Sequence, residues 1–208
     1  ILLGGVPGVR RGKVAIIGGG VVGTNACKIA VGIGADVTLL DVDSNRLAYL
    51  DDIFGSRINT LYSTDHNIES ILAESDLVIG AVLLTGAKAP NLIRREHLKI
   101  MKTGAVIVDV AVDQGGCAET TKPTTHDDPV YVVDDVVHYC VANMPGVVAL
   151  SSTNALTSTT LPYGLWIAEE GLEQACEHSN AIKMGINLYK GKCVYQNVAD
   201  TFNIEYTP

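Results

Sequence analysis

A short apolar strand pattern that runs directly into a glycine-rich turn constrains the fold of this chain most. Residues Val14–Ile17 are apolar, glycines follow at the spacing Gly18-x-Gly20-x-x-Gly23, and a helical pattern begins at once. Gly18 permits a tight strand-to-helix turn, Gly20 lets a pyrophosphate approach the backbone, and Gly23 lets the helix pack on the sheet. The helix N-terminus offers free N–H groups to phosphates. This order of elements predicts a dinucleotide-binding βαβ unit.

An acidic residue at the end of the next apolar run strengthens this prediction. Asp41 stands 23 residues after Gly18, where a carboxylate accepts hydrogen bonds from the hydroxyls of an adenosine ribose. The same carboxylate would repel a 2′-phosphate, which favours NAD over NADP. Arg46, on the following helix, could counter that repulsion or flank the adenosine, and the sequence leaves both roles open. The spacing disfavours the alternative of a merely solvated acid.

Most of the chain alternates between strand and helix patterns. The expected strands are Lys13–Ile17, Val37–Leu40, Ile58–Tyr62, Leu77–Val82, Ala105–Val110, Val130–Val133 and His138–Val141. The expected helices are Val21–Ile33, Asn45–Ile53, Asn67–Ala73 and a piece around Arg95–Met101, with a loop over Leu83–Pro90. The first helix is expected to face the sheet with Val22, Ala26, Ile29, Ala30 and Ile33. The alternation predicts an α/β fold with a doubly wound parallel sheet of Rossmann type.

The pattern changes after Met144-Pro145-Gly146. The hydroxyl-rich stretch Ser151–Thr160 is interpreted as a connector. Leu161–Cys176 and Ser179–Tyr189 are interpreted as two helices followed by a short tail. We therefore expect one domain over residues 1–146 and part of a second domain over residues 147–208.

Composition argues against several classes of function. The 208 residues carry a formal net charge of −8 with one small basic group at Arg10–Lys13, so nucleic acid is not an expected partner. The longest mostly apolar stretch, Val21–Ala35, is interrupted by polar residues and is too short to span a bilayer. The five cysteines form no CxxC pair, which favours a reduced intracellular protein. The five histidines are scattered, so no metal site is expected.

A second group of polar residues follows the fifth predicted strand. Asp109 and Asp113 lead into Gly115-Gly116-Cys117. Asp113 could orient a substrate, hold a proton or stabilise a cationic imine, and the spacing supports a turn-capping role equally. Asp109 is interpreted as structural. A nucleophilic role for Cys117 is disfavoured because no histidine is placed by sequence to activate it.

Several glycine- and proline-marked segments occur together and in a fixed order along the chain. They are Gly4–Val9, Gly18–Gly23, Gly80–Leu83 with Gly86–Pro90, Val108–Cys117, Lys122–Thr125 and Tyr139–Pro145. This set closely resembles the bacterial and archaeal alanine dehydrogenases and covers essentially the whole chain. Its most specific piece is Asp113–Cys117. The resemblance implies reversible NAD-dependent oxidative deamination of L-alanine to pyruvate and ammonia, with hydride passing from the alanine Cα to the nicotinamide. It also implies a cytoplasmic homohexamer.

The resemblance assigns roles to individual residues. It implies that Asp113 is catalytic and that the contacts with NAD come from the glycine turn and from residues that follow the strands. The cofactor-binding residues are expected to be Gly18, Gly20, Val21, Val22, Gly23, Asp41, Arg46, Ser63, Val82, Leu83, Val110, Ala111, Val112, Asp113, Lys122, Val141, Ala142, Asn143 and Met144. Lys122 stands where the family usually has Arg, so it keeps the charge but loses the planar fork of the guanidinium.

The resemblance also implies residues that nothing in this chain matches. The family's catalytic histidine, and the Lys and Arg that hold the substrate carboxylate, lie in an N-terminal half-domain, and this chain begins at Ile1 without a Met. We therefore expect the cofactor domain plus the returning helical part of a discontinuous substrate domain. The alternatives are the NAD(H)-binding component of proton-translocating transhydrogenase and a non-catalytic NAD-binding or redox-sensing module.

Overall fold

The computed structural model describes residues 1–82 and 91–207 and divides into two compact units, Ile1–Met144 and Pro145–Pro208. The first unit contains a seven-stranded sheet. Its strands are β1 (Lys13–Ile17), β2 (Asp36–Asp41), β3 (Ile58–Tyr62), β4 (Leu77–Gly80), β5 (Val106–Asp109), β6 (Val130–Val133) and β7 (Val136–Tyr139). Its helices are α1 (Val21–Gly32), α2 (Ser44–Phe54) and α3 (Asp65–Glu74), with 3-10 turns at Gly55–Arg57, Arg95–Lys99 and Val112–Gln114. The predicted loop Leu83–Pro90 lies outside the described residues.

The sheet has the order β3-β2-β1-β4-β5-β7-β6, which confirms the predicted α/β, doubly wound architecture. Six strands run parallel, and β6 pairs antiparallel with β7. This edge pair departs from the expected fully parallel sheet. Only Asp134 and Asp135 connect the two strands, and both have positive φ, at 48° and 63°. A two-residue turn of this kind can join only antiparallel neighbours.

The alternating side chains of the inner strands enter two separate apolar clusters. In β1, Val14 and Ile16 belong to one cluster, while Ala15 and Ile17 belong to the other. All four are at most 1% exposed. The two clusters explain why the strand sequences show no polar face, since helices and loops cover both sides of the sheet.

The face of α1 that packs on the sheet overlaps the predicted one only in part. The buried residues are Gly23, Thr24, Cys27 and Ala30. Of the predicted stripe, Ala30 is buried and Ala26 packs against the core, whereas Val22, Ile29 and Ile33 are 46%, 69% and 52% exposed. Because α1 is apolar on more than one side, hydrophobic periodicity does not single out its packed face, and the residues that allow the closest approach to the sheet occupy it instead.

The second unit is mostly helical, with bounds that correct the sequence-based prediction. It contains α4 (Ala149–Glu170), α5 (Leu172–His178), α6 (Asn180–Gly185), the hairpin β8 (Leu188–Tyr189) and β9 (Lys192–Cys193), and α7 (Gln196–Phe202), after a 3-10 turn at Met144–Val148. The predicted connector Ser151–Thr160 lies inside α4. The predicted helix Leu161–Cys176 is interrupted at Gly171, which has a φ of +79°. The predicted helix Ser179–Tyr189 ends at Gly185, and the predicted short tail contains a hairpin strand and a helix.

No helix within residues 1–82 and 91–207 combines the length and apolarity needed to cross a membrane. In the same ranges, no three His, Cys, Asp or Glu side chains gather in a way that could hold a metal ion.

Candidate functional site

The expected site residues follow different strands but belong to one edge of the sheet. Because β1, β2, β3, β4, β5 and β7 are parallel, their carboxyl ends all lie at that edge. The strand order reverses between β1 and β4, the position at which open α/β sheets bind ligands. Gly18 follows β1 there with a φ of +104°, and a methyl group on it would lie 2.8 Å from the carbonyl oxygen of Ala81, which follows β4. Gly18 is therefore required by both its conformation and its neighbour.

The remaining glycines of the turn have different environments. A methyl group on Gly23 would lie 1.8 Å from the carbonyl oxygen of Gly18, so only glycine allows α1 to begin so close to β1. A methyl group on Gly20 would meet no atom within 4 Å among the residues described. No described residue therefore requires a glycine at position 20 through close contact. The glycine spacing predicts that a pyrophosphate lies against Gly20.

The N-terminus of α1, next to Gly20, has backbone N–H groups that form no hydrogen bond within the helix. Gly20 is the N-cap residue and has no side chain to cap the helix, and the first intrahelical bond runs from Thr24 N–H to the Gly20 carbonyl at 3.0 Å. The N–H groups of Val21, Val22 and Gly23 thus have no partner within the helix. Val21 is 80% exposed and Val22 is 46% exposed. Such a helix end binds anions through these N–H groups and the helix dipole.

Asp41, the last residue of β2, directs its carboxylate at the glycine turn. Its Oδ2 accepts the N–H of Gly19 at 2.6 Å, and its Oδ1 accepts the N–H of Asp43 at 2.9 Å. Its carbonyl accepts the N–H of Ser63, which follows β3, at 2.9 Å. An ionised carboxylate has about four acceptor positions. The described residues use two of these, so the arrangement can accept ribose hydroxyls at the others.

Arg46, on α2, forms hydrogen bonds with the glycine turn and with the start of α1. Its Nε–H donates to the Gly19 carbonyl at 2.6 Å, and its Nη2 donates to the Thr24 hydroxyl at 2.7 Å. The Thr24 hydroxyl in turn donates to the Gly20 carbonyl at 2.7 Å. The guanidinium also lies 4.9 Å from the centre of the Tyr49 ring. No sequence pattern points to Thr24 as a site residue, because no spacing rule links it to an arginine 22 residues away.

Asp113 lies in the segment that follows β5. It is exposed and belongs to the 3-10 turn Val112–Gln114. The preceding residues are held against the sheet: Val110 donates its N–H to the Gly80 carbonyl at 2.9 Å, while Ala111 and Val112 are buried. Val82, after β4, packs against the buried cluster of Ala111 and Cys117. Leu83, another expected contact, lies outside the described residues.

Cys117 is a packing residue in this segment. It is 1% exposed, and its Cβ would lie 2.9 Å from a methyl group on Gly80. Burial, with the nearby carboxylate of Asp109, raises the pKa of its thiol to about 12. The thiol is therefore protonated at neutral pH, and a nucleophilic role has no support.

The other expected contacts lie in the loops around β7. Lys122 is exposed, its N–H donates to the Tyr131 hydroxyl at 2.9 Å, and its ammonium lies 4.4 Å from the centre of the Tyr131 ring. Ala142 donates its N–H to the Thr124 carbonyl at 3.2 Å. Asn143 has a φ of +56°, and its carbonyl accepts a hydrogen bond from His126 Nε2 at 3.1 Å. Val141 and Met144 flank these residues at the carboxyl end of β7.

Comparison with known proteins identifies close relatives over the whole chain. The family model described as "Alanine dehydrogenase/PNT, C-terminal domain" matches residues 1–196. The alanine dehydrogenase of Staphylococcus haemolyticus (strain JCSC1435) is 58% identical over 208 residues, which are 100% of this chain and 56% of that protein. The chain thus spans little more than half the length of this curated relative.

Solved structures give a consistent result. A structure titled "L-alanine dehydrogenase" matches with a TM-score of 0.89 and 52% identity, over 98% of this chain and 56% of that chain. A transhydrogenase from Sinorhizobium meliloti matches with a TM-score of 0.62 and 30% identity, over 69% of this chain and 41% of that chain.

Proposed function

This chain belongs to the alanine dehydrogenase/PNT C-terminal domain family, and on that premise we propose that it is the NAD(H)-binding half of an NAD-dependent alanine dehydrogenase. The observation that carries the proposal is the glycine turn at the switch point, where no described atom would meet a methyl group on Gly20 and where the Asp41 carboxylate accepts the N–H of Gly19. The 58% identity to an alanine dehydrogenase supports the reaction. The substrates would be L-alanine and, in reverse, pyruvate and ammonia.

The residues present fit NAD chemically. The N–H groups at the start of α1 would donate hydrogen bonds to the pyrophosphate, and the remaining acceptor positions of Asp41 would hold the adenosine ribose. A negative charge at Asp41 disfavours a 2′-phosphate, so NAD is preferred over NADP. Of the remaining expected contacts, those within the described residues follow β3, β4, β5 and β7, and Lys122 lies in the segment before β6. When bound, NAD would supply the acceptor for the hydride that leaves the alanine Cα.

The part assigned to this chain in the chemistry is orientation and proton handling. Asp113 would hold the substrate amine and exchange protons with it as the amine is oxidised and then released as ammonia. We place the catalytic histidine and the groups that bind the substrate carboxylate outside this chain, because it spans 56% of its relative. Residues 145–208 would be the returning part of the substrate domain. The whole protein is proposed to be cytoplasmic and to form a homohexamer. Its mass in solution would test the number of subunits.

Alanine-dependent formation of NADH by the whole protein tests this function. We expect saturable rates with alanine, and a loss of about 10²-fold or more in kcat for Asp113→Asn, which removes the charge but keeps the shape. Asp52→Asn, at an exposed position on α2, is the matched control and should leave kcat unchanged. Absence of any alanine- or pyruvate-dependent turnover would refute the proposal.

The second candidate is the NAD(H)-binding component of a transhydrogenase. The 0.62 TM-score to the Sinorhizobium meliloti protein supports it, but that match reaches only 69% of this chain. Such a component would pass hydride to a second nucleotide without an amino acid. Reduction of a thio-analogue of NADP by NADH, with no response to alanine, would favour this candidate.

A further inference from the structure

Asp109 is a charged side chain that the proposed reaction does not use. It ends β5, and its exposed fraction is 0%. A buried carboxylate is strongly unfavourable unless neighbouring groups compensate its charge. Among the ion pairs formed within the described ranges, none includes Asp109. Its compensation therefore comes from hydrogen-bond donors.

These donors come from both sides of Asp113. Asp109 Oδ1 accepts the N–H of Ala111 at 3.0 Å. Asp109 Oδ2 accepts the N–H groups of Cys117 at 2.7 Å and Ala118 at 3.3 Å, together with the hydroxyl of Thr121. Hydrogen bonds to an ionised group are shorter and stronger than those between neutral groups. One buried carboxylate thus ties together the two ends of the segment that carries Asp113.

The segment is shaped around this carboxylate. Gly116 has a φ of +80°, and a methyl group on it would lie 2.8 Å from Asp109 Oδ2 and 2.5 Å from Thr121 Cγ2. Its N–H donates to the Ala111 carbonyl at 3.1 Å, which closes the loop a second time. The glycine at position 116 is therefore explained by closure around Asp109, without any contact with a ligand.

We propose that Asp109 is a positioning residue that fixes the placement of Asp113. This inference rests on the proposed function, which gives Asp113 its role with the substrate. Asp113 is exposed on a short 3-10 turn, so its placement depends on the backbone that Asp109 holds. A misplacement of about 1 Å in a catalytic group can lower the rate about 10²-fold.

Asp109→Asn is the informative substitution. Asparagine has nearly the same shape, but its NH₂ group must face at least one of the N–H donors that now meet an oxygen. That contact is lost, and two donors are brought together at a fully buried position. We expect kcat for alanine to fall about tenfold or more. The dissociation constant for NADH should rise by a smaller factor, because the same segment carries the expected NAD contacts Val110–Asp113 while the glycine turn and Asp41 are untouched.

A double-mutant cycle in the whole protein separates positioning from a general structural effect. If Asp109 acts through Asp113, Asp109→Asn will lower kcat in the wild-type background but hardly at all in the Asp113→Asn background. A purely structural role predicts the same fold-loss in both backgrounds, and that result would overturn the inference. An unchanged kcat in Asp109→Asn would overturn it as well.

Thr121 provides a second route if Asp109→Asn does not fold. Thr121→Val removes the hydroxyl at nearly constant shape, whereas Thr121→Ser keeps it. We expect Thr121→Val to lower kcat about threefold to tenfold through Asp113, and Thr121→Ser to stay within about twofold of wild type. Equal effects of the two variants, or an undiminished effect of Thr121→Val in the Asp113→Asn background, would contradict the inference. If Asp113→Asn itself leaves kcat unchanged, the role proposed for Asp113 is what fails.

Discussion

At the glycine turn, the physical reason for the residue type differs from one position to the next. Gly18 and Gly23 are fixed by atoms of the protein, at Ala81 and at the Gly18 carbonyl. Gly20 has no such neighbour among the residues described. The same distinction applies to the carboxylates: Asp41 keeps acceptor capacity at an accessible position, whereas all the contacts of Asp109 are internal. Residues whose identity the fold itself does not explain are the candidates for ligand contact.

Substitution of the glycines tests that distinction. Gly20→Ala should leave the thermal unfolding temperature within about 2 °C of wild type but weaken NADH binding about tenfold or more, because the methyl group enters the ligand space. Gly23→Ala should lower the unfolding temperature by several degrees, because its methyl group would overlap the Gly18 carbonyl. Gly32→Ala is the control. Gly32 is the last residue of α1, and a methyl group there would meet no described atom within 4 Å, so the unfolding temperature and NADH binding should change little. A Gly20→Ala protein that binds NADH normally would contradict the assignment.

Asp41 supports a prediction about cofactor preference. Asp41→Asn removes the charge that would repel a 2′-phosphate and weakens acceptance from the ribose hydroxyls. We expect NADH affinity to fall about tenfold and the preference for NADH over NADPH to shrink by a larger factor. Fluorescence titration with both nucleotides measures the two constants. Asp43→Asn, two residues after Asp41 at the N-cap of α2, is the matched control for loss of charge and should keep the preference, because its backbone N–H still donates to Asp41.

At the scale of elements, the sequence predicts the strands better than it predicts the helices or the side-chain contacts between elements. The runs that form β1 and β3 are bounded by turn residues, and their predicted bounds are confirmed. The strand predicted at His138–Val141 is wrong in its bounds, since β7 begins and ends two residues earlier. The sequence of Ser151–Thr160 does not indicate a helix, because Ser and Thr usually favour turns. Inside α4, however, the hydroxyls of Thr157, Thr159 and Thr160 donate to the carbonyls four residues earlier. The Asp109 and Arg46 contacts could not be predicted, since both join residues brought together only by folding.

The β6–β7 hairpin supports a prediction about pH. His138 on β7 is 0% exposed, donates from Nδ1 to the Val136 carbonyl at 3.0 Å and accepts the Thr120 hydroxyl at Nε2. Burial lowers its pKa below the ordinary value of 6.5. The unfolded chain therefore binds a proton here that the folded chain excludes, so stability falls as the pH drops below about 6.5.

Urea unfolding at two pH values measures this contribution. Between about pH 7 and about pH 5.5, wild type should lose more unfolding free energy than His138→Gln, even though the variant is less stable at both values. His66→Gln, on the exposed side of α3, is the control and should lose as much as wild type. Equal losses in wild type and His138→Gln would show that His138 does not set this dependence.

At the scale of the whole molecule, cofactor binding and turnover require different amounts of chain. Every backbone donor and carboxylate proposed for NAD lies in the unit Ile1–Met144, whereas the relatives extend well beyond the length matched here. A polypeptide of these 208 residues should therefore bind NADH, with Asp41→Asn weakening that binding, but form negligible NADH from alanine. The protein that includes the remaining substrate domain should do both. Substantial alanine oxidation by the 208-residue polypeptide would show that the missing catalytic groups are supplied from within it, and the proposed division of labour would be wrong.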